Sequence, residues 1–185
     1  MKRNIVIYFH EYRSNANSDN VNRLNVGLTD CEVYAFDINP NPNISIPELE
    51  KEIDSVLMDN PNAEYHLHFV GTSLGAWYAE HMSNEYVPHV SNYLINPLYD
   101  PFYSLQKYKV ADSILYAYEH YDPIRFKSHD HLYLSLNDSV IDHSHYEDYY
   151  GMDNGPILRT FENTDHEFNG PEFRFVIEDI KNNLK

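Results

Sequence analysis

Short apolar runs alternate along this chain with longer stretches whose apolar residues recur at helical spacing. Ile5-Val6-Ile7-Tyr8-Phe9 is continuously apolar, the pattern of a strand covered on both faces. Residues 32–36, containing Val33-Tyr34-Ala35-Phe36, make a second buried run. A third, Tyr65-His66-Leu67-His68-Phe69-Val70, draws its apolar character from Leu67, Phe69 and Val70. Further strands are expected over residues 90–95, 132–136 and 157–161. Between the second and third strands, Ser45-Ile46-Pro47-Glu48 reads as a capping box with proline in the first turn. Leu49, Ile53, Val56 and Leu57 follow at helical spacing, and Asn60-Pro61-Asn62 ends that helix. Residues 76–82 contain no helix breaker, and Pro171 opens a terminal helix striped with Phe173, Val176, Ile177, Ile180 and Leu184. This alternation predicts a single α/β domain over residues 1–185, a mostly parallel, doubly wound sheet with helices on both faces.

Residues 98–128 interrupt the pattern and concentrate tyrosines: Tyr99, Tyr103, Tyr108, Tyr116, Tyr118 and Tyr121. Such an interval reads either as a small tyrosine-rich cap over a ligand crevice or as a connecting helix that packs its rings on the sheet.

Chemistry enters at Gly71-Thr72-Ser73-Leu74-Gly75, which lies between the third strand and the next helix. Strand, Gly-x-Ser-x-Gly, helix is the arrangement of a nucleophile elbow, in which a strained turn pushes the serine hydroxyl out above the sheet. The turn leaves no room for side chains two positions to either side. A serine needs a histidine to take its proton, and that histidine needs a carboxylate to hold its tautomer. In this architecture the order is serine, acid, histidine, each on a loop after a strand. Asp138 follows the strand expected over 132–136, with Val140 and Ile141 able to anchor its loop. Asp142 is the rival acid, read as the N-cap of a helix beginning near His143. His166 lies in the polar loop after the last strand. The oxyanion would be held by the amide of Leu74 and by one from His10-Glu11-Tyr12-Arg13-Ser14, for which Tyr12 is the choice.

Charge narrows the partners. With 13 basic and 29 acidic residues the net charge is −16, which repels nucleic acid and anionic membranes. The lone cysteine, Cys31, excludes an intrachain disulfide framework and stands too close to a buried strand to be a nucleophile. The apolar segment behind Lys2 and Arg3 is too short for a signal peptide, so a cytoplasmic location is expected. His129-Asp130-His131 and Asp142-His143-Ser144-His145 bring ligand-type residues together, but without the spacing of a zinc site. They are read as solvated loop ends, and no metal is expected. Tyr146-Glu147-Asp148-Tyr149-Tyr150 reads as the exposed side of a helix ending at Gly151. Nothing singles out a carboxylate pair for glycoside hydrolysis.

Taken in order, these segments resemble the α/β-hydrolase superfamily and, within it, the small bacterial YqiA-type esterases. Tyr8-Phe9-His10-Glu11-Tyr12 is similar to their strand ending in a His-Gly-aromatic turn, and residues 71–79 to their elbow. Ile95-Asn96-Pro97-Leu98-Tyr99 is similar to their Asn-Pro turn, Asp138-Ser139-Val140-Ile141-Asp142 to their acid loop, and Asp165-His166-Glu167-Phe168 to their base loop. The resemblance implies hydrolysis of small carboxylic esters or thioesters without a cofactor. Two positions depart from it: Glu11 stands at a glycine position of the oxyanion turn, and Ala76 replaces the glycine after the elbow. A carboxylate at residue 11 would oppose an oxyanion. It favours the alternative of a hydrolase-fold module that binds a ligand or protein with little or no turnover.

Overall fold

A computed structural model describes residues 2–151 and 155–184. Six strands form one parallel sheet: β1 (Arg3–Phe9), β2 (Glu32–Ala35), β3 (Tyr65–Thr72), β4 (Val90–Ile95), β5 (His131–Ser135) and β6 (Ile157–Phe161), in the order β2-β1-β3-β4-β5-β6. Helices α1 (Asp19–Gly27), α2 (Pro42–Met58), α3 (Leu74–Ser83), α4 (Pro101–Leu105), α5 (Asp112–Leu115) and α6 (Phe173–Asn182) fall between and after them.

The two-residue period of the strands divides the core. Ile5, Ile7, Phe9, Leu67, Phe69, Leu94, Leu132 and Leu134 meet α2 and α3 on one face. Val6, Tyr8, Val70, Tyr93, Ile95 and Tyr133 meet α1 and α6 on the other. Both faces are therefore covered, as a parallel sheet requires. No helix among the described residues is long and apolar enough to cross a membrane.

Several expected boundaries move. Helix α2 begins at Pro42, capped by Asn41, whose Oδ1 accepts from the Asn43 amide at 3.0 Å. Ser45 is thus no N-cap. It lies buried in the first turns and donates to the Tyr78 hydroxyl at 2.7 Å. Strand β2 lies at the sheet edge and is half-buried, not buried, because only β1 flanks it. Leu136 falls outside β5 and is exposed. Residues 146–149 form one 3₁₀ turn in place of a longer helix. Asp142 is exposed and accepts from the Ser144 amide at 2.9 Å, a local turn that caps no helix.

Residues 98–128 fold as α4, α5 and two 3₁₀ turns. Tyr99 and Tyr118 are buried, and Tyr118 bridges to Tyr78 at 2.9 Å and donates to the Pro40 carbonyl at 2.9 Å. Trp77 on α3 donates to the Asp122 carbonyl at 3.0 Å and packs edge-on to Tyr118 and Tyr121. Most of the segment therefore ties down α3, and of its residues Leu98 and Tyr108 reach the cavity at Ser73.

Candidate active site

Parallel strands end together, so the loops after β1, β3, β4, β5 and β6 converge at one rim. Ser73 stands between β3 and α3 with φ 55° and ψ −118°, a conformation strained for any residue with a side chain. Its backbone is held from both sides. The amide donates to the Ile95 carbonyl at 2.9 Å, and the carbonyl accepts from the amides of Ala76 and Leu98, both at 3.0 Å. The flanking glycines answer to close approach: a Cβ on Gly71 would lie 2.3 Å from the Gly75 carbonyl oxygen, and one on Gly75 2.0 Å from that of Phe9. Both obstacles are backbone and cannot swing aside.

Asp138 and His166, 28 residues apart, meet at 2.7 Å between Oδ2 and Nδ1. Asp138 Oδ1 accepts from the amides of Val140 and Ile141 at 2.7 and 3.0 Å. Burial pushes this carboxyl up, but hydrogen bonds from His143, His166 and the Ile141 amide outweigh it and hold Asp138 well below the usual carboxylate range. Asp138 is therefore an acceptor only, which places the proton of neutral His166 on Nδ1 and leaves Nε2 a lone pair. His166 and Ser73 line one cavity of about 420 Å³, although no hydrogen bond joins the Ser73 hydroxyl to the ring.

The loop carrying His166 is fixed from below by a residue whose role the sequence did not reveal. Asn96, with φ 41° and no exposed surface, donates to the carbonyls of Asp165 at 3.2 Å and His166 at 2.9 Å. It also donates to Ser135 Oγ at 2.9 Å and accepts from the Ser135 amide at 2.8 Å. Ser135 Oγ in turn donates to the Asp165 carbonyl at 2.9 Å. His143 corrects its reading as a solvated loop end: it is buried, with Nε2 3.0 Å from Asp138 Oδ2 and Nδ1 2.6 Å from the Tyr99 hydroxyl.

The turn after β1 forms another wall of the Ser73 cavity. His10 is buried beneath it, donating through Nδ1 to the Glu11 carbonyl at 2.8 Å and accepting at Nε2 from the Ile38 amide at 2.9 Å. Burial lowers its pKa, which keeps it neutral in this role. Tyr12 lines the Ser73 cavity and an adjoining one that Leu74 also lines. Among the described residues the Tyr12 amide donates to no other group, and the Leu74 amide opens α3, where amides lack helical partners. Glu11 lines both cavities, and its buried Oε2 has no hydrogen-bond partner. Burial, reinforced by Glu167, pushes this carboxyl up to about 7.

The other histidine clusters disperse. Asp130 is buried and accepts from Asn92 and the Lys127 amide, His129 is exposed, and His131 contacts Asn183 at the opposite end of the sheet from Ser73. Among the described residues no group of three histidine, cysteine or acidic side chains is arranged to hold a metal ion. Cys31 is half-buried, and burial raises its pKa.

No family model matches this chain. No curated protein matches it either. Solved structures do. Alpha/beta hydrolase domain-containing protein 10 from mouse aligns with a TM-score of 0.74 at 16% identity, over 96% of this chain and 88% of that one. Est1E from Butyrivibrio proteoclasticus, solved with ferulic acid bound, gives 0.73 at 10% identity, over 98% and 88%. An esterase of Pyrococcus furiosus gives 0.70 at 16% identity, over 98% and 82%. The chain has the α/β-hydrolase fold.

Proposed function

We propose that this protein is a serine hydrolase of small carboxylic esters or thioesters. Ser73 Oγ attacks the acyl carbonyl carbon as His166 Nε2 takes its proton, giving a tetrahedral oxyanion held by the Leu74 and Tyr12 amides. Collapse breaks the bond to the alcohol or thiol, which leaves with the proton from His166. Water then attacks the acyl-enzyme through the same base, releasing the acid and restoring Ser73. Asp138 keeps the imidazole in its Nδ1–H form throughout and stabilises the imidazolium.

The observation that carries this reading is the 2.7 Å Asp138–His166 hydrogen bond on the wall of a cavity that also exposes a serine at φ 55°. Strain at a serine serves no packing purpose, and catalytic hydrogen bonds are often long before substrate arrives. The sequence resemblance to small YqiA-type esterases, and esterases among the structural neighbours, support the same class. The 420 Å³ volume suits a short acyl group. The two glutamates lining the cavity, Glu11 and Glu167, disfavour strongly anionic substrates.

A panel of p-nitrophenyl esters tests it. The native chain is expected to hydrolyse the acetate, Ser73→Ala to lose activity to background, and His166→Ala to lose at least ~10³-fold in kcat. Glu11 favours the second reading, a binding module. Absence of hydrolysis across the panel would decide for it.

A further inference from the structure

Asp138 serves two imidazoles. Its Oδ2 lies 2.7 Å from His166 Nδ1 and 3.0 Å from His143 Nε2, while Oδ1 is occupied by two backbone amides. A carboxylate offers about four acceptor positions, and all are filled. Because the carboxylate only accepts, His143 carries its proton on Nε2. Its Nδ1 is then an acceptor, and the Tyr99 hydroxyl, 2.6 Å away, is the donor. Tyr99 is itself fixed: it follows Leu98, whose amide binds the Ser73 carbonyl, and its ring stacks on Tyr149 at 4.6 Å. Burial raises the pKa of the Tyr99 hydroxyl, so it keeps the proton it donates.

We infer that His143, held in its Nε2–H tautomer by Asp138 and anchored at Nδ1 by the Tyr99 hydroxyl, is a positioning residue that orients Asp138 and moderates its pull on His166. The inference rests on the hydrolase reading for its kinetic consequence. A second donor on Oδ2 draws charge from the oxygen that holds the His166 Nδ1–H. The imidazolium formed in the first step is then stabilised less, and it yields its proton more readily to the leaving group. The second donor also keeps the carboxylate from rotating away when His166 becomes charged.

The charged and titratable neighbours act on this pair from several elements. Asp142 flanks His143 on its own loop, and Tyr108 and Tyr99 from the segment after β4 sense the Asp138 charge. Glu11 from the turn after β1 lies within electrostatic reach of His166, Asp165 and Glu167. None of these hydrogen-bonds Asp138 Oδ2. His143 is the one second donor on that oxygen among the described residues.

The test compares His143→Leu, His143→Gln and Tyr99→Phe with the wild type in p-nitrophenyl acetate hydrolysis from pH 5 to 9. His143→Leu is expected to lower kcat about ten- to a hundred-fold with KM within about twofold, and to move the acidic limb of kcat/KM to higher pH. His143→Gln, whose amide can still donate to Asp138, is expected to recover most of both effects. Tyr99→Phe, which removes the anchor on His143 Nδ1, is expected to give a smaller change in the same direction. A folded His143→Leu protein with wild-type kcat and an unmoved limb overturns the inference. If that variant does not fold, Tyr99→Phe removes a single oxygen and decides in the same way. A readout independent of turnover separates failure here from failure of the hydrolase reading: the low-field proton resonance of His166 Nδ1–H is expected further downfield in His143→Leu, less so in Tyr99→Phe, and close to the wild-type position in His143→Gln. An unchanged resonance in His143→Leu overturns the inference whether or not the wild type hydrolyses esters.

Discussion

Ser73 shows how much of a site a few residue types can announce. A serine held at φ 55° between glycines whose Cβ atoms would strike backbone is legible from spacing, because only glycine fits there. Asp138 and His166 are legible from chain order. His143 and Asn96 are not, because their partners are remote: His143 meets Tyr99, 44 residues earlier, and Asn96 meets His166, 70 residues later. A polar Asp-His-Ser-His stretch carries no periodicity from which burial could be read. Asn96→Ala leaves the His166 carbonyl and the Ser135 amide without their side-chain partner, while the Asp165 carbonyl keeps only Ser135 Oγ. It is expected to cost about 2–4 kcal/mol in urea unfolding and to lower kcat more than tenfold. Glu11, pushed up to about 7 by burial first and Glu167 second, becomes anionic as pH rises through that value, and in the proposed reaction it would then oppose the oxyanion. Glu11→Gln is therefore expected to raise the ratio of kcat at pH 8.5 to kcat at pH 6. A ratio equal to the wild type's would show that Glu11 does not act on the oxyanion.

The strands and long helices follow from apolar periodicity, and the misplaced elements each have a physical cause. Helix α1 carries only Val21 and Leu24 as buried apolar side chains amid asparagines, too weak a stripe to register. The start of α2 offers two signals, and Asn41-Pro42 wins over Ser45-Ile46-Pro47-Glu48 because Ser45 is drawn into the core by Tyr78. Apolar β2 reads as buried although it is an edge strand, since composition does not say which strands have two neighbours. Asn41→Ala is expected to cost ~1 kcal/mol in stability and to leave ester hydrolysis unchanged, as α2 lends no side chain to the Ser73 cavity. Gly75→Ala differs in kind. Its Cβ would sit 2.0 Å from the Phe9 carbonyl oxygen, so α3 must leave β1. Loss of more than ~3 kcal/mol together with all hydrolysis is the expected result.

At the scale of the molecule, a charge of −16 coexists with acids buried inside the fold. Glu80, 3.3 Å from Lys127, is pushed up to about 7, with burial the larger effect and Lys127 opposing it. A carboxyl that holds its proton more tightly when folded stabilises fully below its ordinary value of 4.5, and that contribution fades as pH rises through 7. The stability of Glu80→Gln relative to the wild type is thus expected to grow by about 1–3 kcal/mol from pH 4.5 to 8. Fully buried Trp77, the single tryptophan, reports the unfolding. His10, His81 and His131, whose values burial lowers, titrate in both proteins and cancel in the difference.

The proposed hydrolysis depends most on Ser73 being a nucleophile activated by His166. Mass spectrometry of the protein after exposure to a fluorophosphonate measures this directly. One adduct is expected, on the peptide that contains Ser73, formed rapidly in the native chain and at least a hundredfold more slowly in His166→Ala. A native chain left unmodified, or modified elsewhere at the same rate in Ser73→Ala, would contradict it.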